Sequence, residues 1–87
     1  MFQIEDESHA ELQMGKFNSY KDAINELKRR AEIPWSEKPN RCPCTSWETC
    51  GRNYVIIEYD DSRIPWKELN RYSVLEISAK GIKWTNK

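Results

Sequence analysis

The chain has 87 residues, with 14 Lys and Arg balanced by 14 Asp and Glu, which is enough for one small domain over 1–87 and too little for a second hydrophobic core. Its longest uninterrupted run of Val, Ile and Leu, Val55-Ile56-Ile57, is far short of the roughly 18 residues that a spanning helix needs. No membrane partner is therefore expected, and a start with neither a basic cluster nor a long apolar stretch points to a cytoplasmic protein.

Leu, Ile, Val and Phe make up less than a fifth of the chain, a level close to the disordered range. The zero net charge and the four Trp and four Tyr argue instead for a folded domain whose aromatic rings supply much of the buried surface.

Phe2 and Ile4 alternate with polar neighbours, and beyond Asp6-Glu7-Ser8 the alternation resumes at Ala10, Leu12 and Met14. This predicts a hairpin of two half-buried strands. Gly15 is expected to end the second strand or to carry a bulge that returns Phe17 to the buried side. Ser19 is a candidate N-cap, with Asp22 three residues on. Tyr20, Ala23, Ile24, Leu27 and Ala31 then fall on one helical stripe, which predicts an amphipathic helix over 20–32 closed by Pro34.

Residues 34–53 show neither a helical nor a strand period, and they hold three of the four prolines, all three cysteines and two of the four tryptophans. An aperiodic connection of this length is a sign of function or disorder, and its two Trp side chains favour an ordered loop. Tyr54 to Tyr59 reads as a central strand, β-branched or aromatic at five of six positions. Asp60-Asp61-Ser62 is a turn, Pro65 to Leu69 a short helical turn, and Tyr72 to Ala79 a further strand, with Leu75, Ile77 and Ala79 on one face and Val74, Glu76 and Ser78 on the other. After Gly81, Ile82 and Trp84 resume the alternation and suggest a short last strand.

The order β-β-α-loop-β-β(-β) defines an α+β domain, with one amphipathic helix on one face of a small antiparallel sheet. Ile-Pro-Trp-x-Glu occurs at Ile33 and again at Ile64. We read this echo as one local device used twice, in which Pro stops an element and Trp covers its end.

Cys42, Cys44 and Cys50 form C-x-C-x5-C, and His9, the lone histidine, is the one imidazole that could join them as a fourth metal ligand. The spacing lacks the paired ligands of common zinc sites. The expectation is therefore no metal and no cofactor, with three reduced thiols inside a folded loop. The sequence places nothing beside these thiols to act as a base, and it holds no phosphate-binding loop, dinucleotide fingerprint or His-Glu-x-x-His motif. A non-catalytic protein-interaction or assembly module is expected, binding a protein partner or a second copy of itself. Its candidate surface is a sheet edge together with Trp35, Arg41, Trp47 and Arg52.

The alternative is single-stranded nucleic-acid binding through the same aromatics and cations. Residues 13–52 hold eight basic and five acidic side chains, a weak excess for binding driven by counterion release.

Overall fold

The computed structural model describes residues 1–45 and 48–85. Strand β1 (Phe2–Asp6), strand β2 (Glu11–Leu12), helix α1 (Tyr20–Ala31), strand β3 (Arg52–Asp60), strand β4 (Lys67–Ser78) and strand β5 (Gly81–Trp84) follow one another in the chain. The strands make one sheet in the order β2-β1-β3-β4-β5, antiparallel throughout, with the helix packed on one face. No helix among the described residues is long and apolar enough to cross a membrane.

β3 takes the centre because it is apolar on both sides: Tyr54, Val55, Ile56 and Ile57 are all fully buried. Tyr54 and Ile56 join Ile4, Val74, Leu75 and Ile77 beneath Ala23 and Leu27 of the helix. On the opposite face, Val55 and Ile57 stand across from Glu5, Ser73, Gln3 and Arg71 in the register. Arg71 reaches Glu5, Glu7 and Glu68 there, so the aliphatic stems of charged residues cover this side of the sheet.

α1 begins where its sequence signals place it. Ser19 is extended, and its side-chain oxygen accepts the Asp22 amide at 3.1 Å. Lys28, Arg29 and Arg30 occupy the last turn, where cations complement the helix dipole. Tyr20 meets Tyr72 edge-on with ring centroids 5.3 Å apart, and Phe2 at 6.3 Å. These contacts tie the start of the helix to β1 and β4.

Three local expectations change. The second hairpin strand shrinks to Glu11–Leu12, with Ala10 at a positive φ of 50° and Met14 exposed. The helical turn expected over Pro65 to Leu69 is absent: β4 starts at Lys67, because pairing Tyr59 with Glu68 and Asp60 with Lys67 satisfies backbone groups that one isolated helical turn would leave open. Within β4, Val55 pairs with Ser73 while Tyr54 pairs with Leu75, so Val74 is the extra residue of a bulge. That bulge explains why neighbours Val74 and Leu75 are both buried against the helix rather than pointing to opposite faces.

Leu27 is fully buried at the centre of the helix stripe. Leu27→Ala is expected to destabilise the domain by about 2 to 4 kcal/mol, measured as a lower urea midpoint with an unchanged slope.

Candidate functional site

The end of the domain opposite the Tyr20 cluster is polar and centres on Asp6. This carboxylate has no exposed side-chain surface, yet it accepts four hydrogen bonds. The Ser8 and Asn53 amides reach Oδ1, both at 3.1 Å, while the Arg52 guanidinium at 3.1 Å and His9 Nδ1 at 2.6 Å reach Oδ2. Local sequence accounts for part of this: Asp6 ends β1, and the turn at Glu7 and Ser8 folds the backbone back over its side chain.

Arg52 opens β3 and faces the same point from the loop side. Besides Asp6 it pairs with Glu11, and it donates to the carbonyls of Asn40 at 3.2 Å and Arg41 at 2.6 Å. Asn40 is also buried, and its amide donates to the carbonyls of Arg30 and Ile33, closing the C-terminal end of α1. The Tyr54 hydroxyl donates to Asn40 Oδ1 at 3.1 Å. Arg30 extends the network, bonding Gln13 at 2.8 Å and Glu26 at 2.9 Å. Among the described residues, no buried side-chain nitrogen or oxygen lacks a partner.

His9 connects this network to the cysteines. Its Nδ1 faces the Asp6 carboxylate, so a proton there leaves Nε2 directed at Cys50 Sγ, 3.0 Å away. Burial works against a charged imidazole, but the hydrogen bonds to Asp6 and Cys44 outweigh it and raise His9 above its ordinary 6.5. Ligand atoms of His9, Cys44 and Cys50 all lie within 4.8 Å of one another. Cys42 is buried. Burial first, and then Cys50, push the Cys42 thiol up to about 12. None of the three cysteines is in a disulfide.

Nothing in the sequence alone placed His9 beside the thiols. The signal that would have placed it is Asp6 three residues before it, a carboxylate able to aim the ring across the turn. At the close of the loop, a Cβ on Gly51 would lie 3.0 Å from both the Ile77 carbonyl oxygen and Ser78 Cβ, so glycine lets Cys50 and Arg52 approach β4.

Of the residues expected to form a binding surface, the structure brings Arg41 and Arg52 together, Arg52 donating to the Arg41 carbonyl and both lining one groove. Trp35 packs against the core and Arg52 is buried in ion pairs. Arg41 is exposed and lines an open groove of about 570 Å³ with Lys38, Pro39 and Cys44. Trp47 lies outside the described residues. Chemically, the cluster offers soft thiolate and imidazole donors for a metal ion, or a Cys–His–Asp relay of the kind that activates a nucleophile. No family model, curated protein or solved structure matches the chain.

Two outcomes follow from the polar network. Arg52→Met leaves the Asp6 carboxylate without its buried cation and frees two loop carbonyls, so it is expected to destabilise by about 3 kcal/mol or more; urea unfolding measures it. Arg29's hydrogen bond, opposed by burial and helped by Arg30, holds the Glu26 carboxyl below its ordinary 4.5. A carboxyl lowered in the folded state stabilises fully above the ordinary value and loses that contribution as the pH falls through the folded one. The urea midpoint should therefore drop below pH 4.5, and Glu26→Gln should flatten that drop.

Proposed function

We propose that the chain is a non-catalytic module that recognises a protein partner by accepting an extended segment of it along the open edge of β4. The supporting observation is a mismatch in strand length. β4 has 12 residues and β5 only four, and β5 with Thr85 covers β4 only from Val74 to Ser78.

From Lys67 to Tyr72 the strand pairs with β3 on one side, while among the described residues no strand lies on the other. A row of backbone donors and acceptors faces outward there. An extended peptide satisfies such a row with main-chain hydrogen bonds, and the exposed Leu69 and half-buried Tyr72 offer it apolar contacts. Lys67, Glu68 and Arg71 on the same segment resist indiscriminate edge pairing. Nucleic-acid binding draws less support, because Arg52 spends its donors on Asp6, Glu11 and two loop carbonyls.

Peptides selected from a random display library, titrated into isotope-labelled protein, test this reading. Amide shift changes concentrated at 67–72, with Leu69→Asp weakening binding at least about tenfold, are expected for strand addition. Failure to enrich any peptide, changes mapping elsewhere, or a concentration-dependent dimer closing the same edge would overturn it. Micromolar binding of mixed-sequence single strands that vanishes with salt would replace it with the nucleic-acid reading.

A further inference from the structure

The geometry points to a structural zinc site formed by Cys42, Cys44, Cys50 and His9, with Asp6 holding the imidazole in place. This reverses the expectation drawn from spacing alone. C-x-C-x5-C lacks the second half of a ligand pair, and the structure supplies it from the hairpin turn between β1 and β2, 41 residues from Cys50.

Three observations converge. The donor atoms of His9, Cys44 and Cys50 already lie within 4.8 Å of one another. A tetrahedral zinc ion, with bonds of about 2.3 Å to sulfur and 2.0 Å to nitrogen, separates its ligand atoms by about 3.5 to 3.8 Å. Closing the cluster on a metal thus needs movement on the order of 1 Å. Cys42, buried two residues before Cys44, is the remaining thiol of the segment and the candidate fourth donor. Lastly, Asp6 Oδ2 accepts from His9 Nδ1 at 2.6 Å, the outer-shell carboxylate that orients a zinc-bound imidazole and fixes Nε2 as the ligating atom.

The Cys50–His9–Asp6 line alone would also suit a thiol nucleophile with its base. Two further thiols decide against that use. They crowd the sulfur a substrate would have to approach, whereas three sulfurs and one imidazole nitrogen complete a familiar zinc donor set. On binding, each of the three thiols releases its proton to solvent, and zinc takes their electron pairs and that of neutral His9 with no change of oxidation state. The metal would then fasten the aperiodic segment 34–51 to the β1–β2 turn.

Native mass spectrometry of the full chain, purified with a non-thiol reductant and without chelator, should show one zinc per chain. Cobalt in its place should give the intense visible absorption of a tetrahedral thiolate site. Cys44→Ser and Cys50→Ser should lose the metal, Cys42→Ser should shift the cobalt spectrum, and Asp6→Asn should weaken zinc affinity about 10- to 100-fold. Chelation should speed tryptic cleavage after Arg41. The inference is overturned by wild-type protein that takes up no zinc, or by a mass two protons lower that marks a disulfide under the same conditions. It is equally overturned if iodoacetamide alkylates Cys50 rapidly with zinc present, the behaviour of an activated nucleophile. Because the wild-type measurement needs no variant, misfolding of a mutant cannot mimic either result, and none of these outcomes bears on peptide binding at β4.

Discussion

The ion pair between Asp6 and Arg52 is the constraint on which the polar end of this domain depends. Each charge is almost wholly removed from water, and neither would tolerate that without the other and the hydrogen bonds around it. Asp6 is fixed by two backbone amides, Arg52 by two backbone carbonyls, so the pair joins three chain segments: the hairpin turn, the first residues of β3 and the loop at 40–41. An apolar pair of similar volume could fill the space but would leave those amides and carbonyls without partners. Here the burial of charge serves the long loop, which has no ladder of its own among the described residues.

The two ends of the sheet therefore rest on different physics. Around Tyr20, Phe2 and Tyr72, aromatic edges and aliphatic side chains close the core with few polar obligations. Around Asp6, side chains carry the hydrogen bonding that regular structure supplies elsewhere. The cysteines sit at that second end, beside a ring already aimed by a carboxylate. Asn40 ties this polar end to the helix and the core, since it caps the helix through two carbonyls and meets Tyr54.

The elements readable from the sequence are those whose signals are local. Ser19, Asp22 and the stripe from Tyr20 to Ala31 sufficed for the helix, and the double-sided apolar run at 54–57 sufficed for the central strand. Gly81 followed by alternating Ile82 and Trp84 gave the last strand. What escaped local reading was decided across the fold. Pro65 looks like a helix start until the ladder from β3 claims Lys67 and Glu68, and Val74 looks outward-facing until a bulge turns it in. The Cys and His cluster was hidden for the same reason: no periodicity connects residue 9 to residue 50, and Asp6, which makes the connection, reads as an ordinary turn acid. Arg52 was legible as a cation in an aromatic loop, but its partners Asp6 and Glu11 belong to a hairpin 46 and 41 positions away.

The pairing of β1 with β3 has a consequence for how the chain reaches this state. Ile4 lies opposite Ile56, and Asp6 meets Arg52 across 46 positions, whereas α1 and the β3–β4 hairpin need only neighbours in sequence. Closing so long a loop consumes chain entropy before any contact repays it, so the first strand is expected to dock after the hairpin exists to receive it. Domains dominated by such distant contacts fold orders of magnitude more slowly than helical bundles of similar length. Until that docking step, the apolar edge of β3 stands open in the partly folded chain, and during synthesis the residues that will cover it have already emerged and must wait for their partner.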